Sequence, residues 1–103
     1  MTMARLVVSP AARHDLDEIL AYLARVAGTS LALRYGSRFR AAFRHLIDFP
    51  ETGARRARFG PEMRIWAIAP YVIFYRFSPA EQTIYLARIV HGRRNVTPRL
   101  LEP

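Results

Sequence analysis

The stretch from Arg64 to Arg94, RIWAIAPYVIFYRFSPAEQTIYLARIVHGRR, constrains the fold more than any other part of the chain. Three runs of β-branched, aromatic and aliphatic residues are separated at Ala69-Pro70 and at Ser78-Pro79-Ala80-Glu81. Runs of this composition bounded by turn residues read as consecutive strands, and short connections join antiparallel neighbours. The stretch closes on His91-Gly92-Arg93-Arg94, which stops the last strand and leaves cations at the sheet edge.

The register decides what such a sheet presents, because side chains alternate strictly between its faces. A first turn centred on Pro70 sets Trp66 opposite Phe74 and Arg64 opposite Arg76. A symmetric second loop sets Phe74 opposite Leu86 and Val72 opposite Arg88. One face then carries Arg64, Trp66, Ile68, Val72, Phe74, Arg76, Ile84, Leu86 and Arg88, and the other Ile65, Ala67, Ile73, Tyr75, Tyr85, Ala87 and Ile89. Both faces are apolar enough to need cover. A slip of one residue would redistribute them.

Upstream, Arg5-Leu6-Val7-Val8-Ser9 reads as a short strand. Ser9-Pro10 ends it and starts a helix, with Ser as N-cap and Pro at the first helical position. Asp15, Asp17 and Glu18 suit the positive end of the helix dipole. Ala12, Leu16, Ile19, Leu20, Leu23 and Val26 form an apolar stripe, and Gly28 ends the helix. Thr29-Ser30 caps a second helix with the stripe Ala32, Tyr35, Phe39, Ala42, Phe43, Leu46 and Ile47; Arg34, Arg38, Arg40 and Arg44 take other positions, and Pro50 closes it. The link is so short that the helices form an antiparallel hairpin. Glu51–Met63 reads as a loop, and the tail from Asn95 as a docking segment or a frayed end.

The order is β-α-α-β-β-β. The predicted fold is α+β: a helical hairpin packed on one face of a mostly antiparallel sheet, with the first strand parallel to the last after a right-handed crossover. A length of 103 residues suits one domain, 1–103, with a single modest core. There is no cysteine, so disulfides and thiolate metal sites are excluded. No pair of histidines has helical or loop spacing with a carboxylate, so neither metal nor cofactor is expected. No stretch approaches a membrane span, and Met1–Arg5 lacks a signal-peptide pattern; cytoplasmic residence is the default expectation. Sixteen basic residues, every one of them Arg, stand against eight acidic ones, a net charge of +8. A small domain so cationic calls for a polyanionic partner, either nucleic acid or an acidic protein.

In this order and spacing the chain resembles the ParE/RelE toxin superfamily of type II toxin–antitoxin systems. The residues that carry the resemblance are Ser9-Pro10-Ala11-Ala12 ahead of Asp15-Leu16 and Ile19, then Phe49-Pro50 with Gly53, Arg64, Tyr71-Val72-Ile73-Phe74-Tyr75, and Arg88-Ile89-Val90-His91-Gly92-Arg93-Arg94. It is closer to the ParE branch, which implies poisoning of DNA gyrase without catalytic residues. It also implies an acidic ParD-like antitoxin that carries the main DNA-binding domain and forms a hetero-oligomer with the toxin. The RelE branch implies ribosome-dependent mRNA cleavage, which needs a base for the 2′-hydroxyl, a cation for the phosphate and an acid for the leaving oxygen. Asn95-Val96-Thr97-Pro98 stands where the RelE pattern has a Tyr. In that alternative the catalytic set would be His91, Arg64 and Arg88.

Several residues admit two readings. His91, Arg93 and Arg94 are the candidate target contacts; their bland reading is a histidine hydrogen-bonded to a loop and a solvated turn. Arg64, Arg76 and Arg88 lie within an apolar face and need carboxylates. Glu62 and Glu81 are the near candidates in this chain, and an antitoxin's carboxylates the alternative. Arg64, Trp66, Arg76 and Arg88 are thus the candidate antitoxin contacts, Trp66 as an anchor or simply as core. His14 and His45 read as solvated. The Arg55-Arg56-Ala57-Arg58-Phe59 segment and the arginines of the second helix read either as a nucleic-acid patch or as solvated surface.

Overall fold

Ser9 and Pro10 end one element and begin the next. The Ser9 hydroxyl accepts from the Ala12 N–H at 3.0 Å, and Pro10 opens the helix. The computed structural model describes residues 4–102; Met1–Met3, where the leader reading began, and Pro103 lie outside the described residues. The chain runs β1 (Arg5–Val8), α1 (Pro10–Ala27), α2 (Thr29–Asp48), β2 (Ala54–Arg55), β3 (Met63–Ile68), β4 (Tyr71–Ser78) and β5 (Thr83–His91). Single 3-10 turns lie at Ala57–Phe59 and Pro98–Leu101. The sheet order is β1-β5-β4-β3-β2, with β1 parallel to β5 and every other pair antiparallel. This is the expected α+β architecture, with two additions. The expected loop contributes β2 as an edge strand on β3, and the tail docks through Val96 and Leu101, both buried.

The helix boundary is tighter than the Thr29-Ser30 cap implied. Gly28, at φ 96°, is at once the last residue of the α1 cap and the first of the α2 cap, and no side chain caps α2. Its N–H donates to Ala24 O and its carbonyl accepts from Ala32 N–H, so one residue serves both helices. A side chain at that φ is strained, and glycine removes the strain.

The strand register corrects the expected one. Trp66 pairs with Ile73 and Arg64 with Tyr75, because Ala69-Pro70 is a two-residue hairpin loop between Ile68 and Tyr71. That slip of one residue exchanges the faces of β4 relative to β3. Tyr71, Ile73, Tyr75 and Phe77 join Ile68 and Trp66 under the helices, where Phe39, Leu46, Ala12 and Leu23 meet them. Phe74, with Met63 and Val90, forms a second core on the far face, covered by Phe59, Val96 and Leu101.

The second hairpin carries a bulge. Tyr75 pairs with Leu86, but Phe74 pairs with Arg88, leaving Ala87 as the extra residue. Ile84, Leu86 and Ile89 all lie in the helix-side core. A spacing of three between Leu86 and Ile89 has the wrong parity for a flat strand, and the bulge restores it.

Candidate functional site at the strand ends

Beyond Leu86, β5 has no strand neighbour on its β1 side among the described residues, since the pairing stops at Val8 with Leu86. Side chains from the start of α1 take the missing strand's place. The Ser9 hydroxyl donates to Ala87 O at 2.9 Å, and the Ile89 N–H donates to an Asp15 carboxylate oxygen at 2.9 Å. Asp15 also receives Arg88 bidentately, through Nε at 2.7 Å and Nη2 at 2.8 Å. Arg88 Nη1 reaches Leu100 O at 3.5 Å, tying the tail to the same point. The Asp15 hydrogen bond holds the Arg88 guanidinium more firmly protonated than usual. Planar two-point pairing of this kind is the strongest form of ion pair.

Arg64 is engaged differently. Its Nη1 donates to Glu51 O at 2.9 Å and Gly53 O at 2.8 Å, and its Nη2 lies 3.7 Å from the Glu51 carboxylate. The Tyr75 hydroxyl closes the same loop, donating to Pro50 O at 2.9 Å and accepting from the Gly53 N–H at 2.8 Å. Burial pushes the Tyr75 hydroxyl above its ordinary pKa of 10.0, and the Gly53 N–H and Arg64 partly offset that rise. A Cβ at position 53 would stand 2.5 Å from that hydroxyl and 2.6 Å from Ile65 O, so only glycine fits.

The expectation that Glu62 and Glu81 neutralise the inner arginines is therefore corrected. Glu62 pairs with the exposed Arg55 at 3.1 Å, and Glu81 accepts from the Tyr85 hydroxyl. Asp15 and Glu51 take the role instead. Asp15 suits the helix dipole, yet its position three after Ala12 and four before Ile19 also sets it on the buried stripe, the sequence signal for its inward role. The expected cluster of three guanidiniums on one face also dissolves. Arg64 reaches the loop after α2, Arg88 the start of α1, and Arg76 stays exposed on the far face.

Arg76 borders two depressions on that far face. One, of about 530 Å³, is lined by Glu62, Phe77, Ser78, Pro79 and Tyr85. The other, of about 350 Å³, runs past Val7, Pro10, Leu86, Ala87 and Leu101. Among the described residues Arg76 makes no ion pair. Trp66 is half-buried, stacked on His45 at 4.9 Å between ring centres, with Phe49 5.2 Å from the same imidazole. His45 is thus a packing residue rather than a solvated one.

His91, Arg93 and Arg94 are all exposed. His91 Nδ1 accepts from the Arg93 N–H at 3.1 Å, and its ring meets Tyr71 edge-on at 5.9 Å. The Arg94 N–H donates to His91 O at 2.9 Å, closing the turn. A cavity of about 270 Å³ beside it is lined by Arg58, Arg94, Asn95 and an apolar floor including Phe59, Val72 and Phe74, with no carboxylate. The alternative catalytic set is not brought together. His91 pairs with Tyr71, whereas Arg88 and Arg64 stand opposite Phe74 and Tyr75. Three to four residues along a strand is about 10–13 Å.

Comparison with known proteins supplies the family. The sequence profile of the ParE toxin of type II toxin-antitoxin system, parDE, matches residues 6–96. The chain belongs to the ParE toxin family. Toxin ParE3 of Caulobacter vibrioides is 26% identical over 98 residues, covering 95% of this chain and 96% of the relative. Among solved structures, a chain of the chromosomal ParDE toxin–antitoxin system from P. aeruginosa superposes with a TM-score of 0.72 at 23% identity, over 86% of this chain and 96% of that one. A chain of the RelBE2 toxin–antitoxin complex from Mycobacterium tuberculosis gives a TM-score of 0.59 at 17% identity, over 87% and 99%. At those identities the two structures establish the shared fold. Within this ParE toxin, the Pro50–Gly53 clasp and the Asp15–Arg88 pair give motif residues physical roles inside the fold. Among the described residues, no helix of the toxin is long and apolar enough to cross a membrane.

Proposed function

We propose that this ParE-family toxin arrests growth by poisoning DNA gyrase, that the rim His91-Gly92-Arg93-Arg94 makes the contact, and that a ParD-like acidic antitoxin neutralises it. The observation that carries the reading is the state of the three inner cations. Arg64 and Arg88 are consumed within the fold, and among the described residues no carboxylate lines the cavity that His91 and Arg94 share. A surface of this kind suits binding better than acid–base chemistry. The antitoxin's place is the far face, where Arg76, in no ion pair among the described residues, sits beside Val7, Tyr85 and Leu101. An acidic segment laid there satisfies the guanidinium and covers apolar surface in one step. Arg64 and Arg88 then support the surface rather than meet the partner.

Induction without antitoxin should accumulate covalent gyrase–DNA complexes and a DNA-damage response. Cuts in ribosome-occupied messages, mapped by primer extension in the same cells, would transfer the assignment to RelE-type endoribonuclease activity. A short acidic ribbon-helix-helix protein encoded just upstream would fit the antitoxin assignment. Binding of that protein should weaken when Arg76 is replaced by Glu, and unchanged affinity would remove Arg76 from the interface.

A further inference from the structure

The turn at Ala69-Pro70 joins two cationic segments that are far apart in sequence. From one side the Tyr35 hydroxyl and Arg38 Nη1 donate to Ala69 O, at 3.3 and 3.5 Å. From the other the Gly92 N–H donates to Pro70 O at 2.7 Å. Tyr71 bridges them, edge-on to Tyr35 at 5.8 Å and to His91 at 5.9 Å. Arg34 and Arg38 on α2 and Arg93 and Arg94 after β5 therefore flank one turn at one end of the sheet. All four are exposed, and among the described residues none forms an ion pair. The one carboxylate of α2 is Asp48, at its far end.

We infer that this band is a binding surface for the phosphate backbone of duplex DNA, so that the toxin contacts DNA directly. Four residues along a helix advance about 6 Å, which keeps Arg34 and Arg38 in one row. Phosphates follow one another every 3.4 Å of axis along each strand, so the row spans about two of them. The exposed surface between the helix arginines and Arg93 is narrow: Ala69, Pro70, His91 and Gly92, with Tyr35 half-buried and Tyr71 buried beneath. A protein laid across the whole band would need a broad dry apolar or aromatic centre, and the apolar floor at this rim lies beside Arg94 alone of the four, away from α2. Leu33, 66% exposed, lies about 100° and 140° around the helix from Arg34 and Arg38, on the side away from the Ala69-Pro70 turn. Arginine's planar fork matches phosphate oxygens and carries no sequence preference of its own there. The surface shares Arg93 and Arg94 with the proposed gyrase contact and so partly rests on it; an enzyme that holds cleaved DNA would present both at once.

The test uses the purified full chain and fluorescence anisotropy with two unrelated 20-base-pair DNA duplexes over a salt series. The expected result is equal affinity for both duplexes, with log K falling against log salt at a slope of about −3 to −4, from four contacts at about −0.9 each. Arg34→Gln/Arg38→Gln and Arg93→Gln/Arg94→Gln should each flatten that slope by about 2. Arg5→Gln/Arg56→Gln removes the same charge at the opposite end of the strands and should leave the slope unchanged. Equal flattening by all three pairs would overturn the assignment, because net charge rather than place would then be responsible. Competition by oligoglutamate as effective as by duplex at equal charge would also overturn it, in favour of an acidic protein. Duplex binding is read without gyrase, so its failure leaves the gyrase proposal standing, and a lack of trapped gyrase in cells leaves the DNA surface standing.

Discussion

Asp15 ties the first helix to the last strand. It accepts from the Ile89 backbone and from two nitrogens of Arg88, and the pair's side chains are only 10% and 17% exposed. Asp15→Ala strands a largely buried guanidinium and orphans a strand N–H. We expect a loss of about 3 kcal/mol, the lower end for a broken pair that retains some water, measured by urea unfolding. An apolar pair at both positions should recover part of it, because no charge is then left alone. Tyr75 makes the second prediction. Tyr75→Phe leaves Pro50 O and Gly53 N–H without their partner, a loss of about 1–3 kcal/mol. Its raised pKa also has a definite pH signature. The unfolded hydroxyl ionises near 10.0 and the folded one only above that. The contribution is therefore complete below pH 10 and lost as pH rises through the folded value. Urea midpoints between pH 8 and pH 11 should fall less steeply in Tyr75→Phe than in the parent.

The two cores predict different consequences for their central aromatics. Phe39 lies between α2 and the sheet, against Phe43 and Tyr71, and is 1% exposed. Phe39→Ala should lose about 3–5 kcal/mol and detach the hairpin. Phe74 is 5% exposed beneath Phe59 and the docked tail. Phe74→Ala should loosen the 57–59 turn and the tail first, seen as early amide exchange there while α1 and α2 stay protected. The helices were legible in the sequence because the 3.6-residue stripe, the Ser9 cap and Gly28 all act locally. The strand faces were not. The parity of β4 depends on a two-residue loop where a turn centred on Pro70 reads equally well, and the Ala87 bulge has no mark in composition. Likewise β2 has only two residues and exists by pairing with Ile65 and Arg64.

For the toxin as a unit, the exposed rim separates activity from stability. Arg93→Glu/Arg94→Glu should abolish growth inhibition while changing unfolding free energy by no more than about 0.5 kcal/mol, as usual for surface sites. Toxicity that survives this double change, in cells shown to accumulate the protein, would take the rim out of the mechanism. The sequence alone set the class: the order of the two helices and the four longer strands, the parallel pairing of β1 with β5, and a cationic surplus that demands a polyanion. These follow from local periodicity, connection lengths and charge counting, none of which needs coordinates. Which arginines remain free is another matter. It turned on whether Asp15, 73 residues upstream, reaches Arg88, and on whether the loop after α2 folds back on Arg64 and Tyr75. Ion pairing depends on distances of a few ångströms between residues remote in sequence, and only the closed fold sets those distances. The same closure laid α2 and the end of β5 against one turn, and so made one surface of Arg34, Arg38, Arg93 and Arg94.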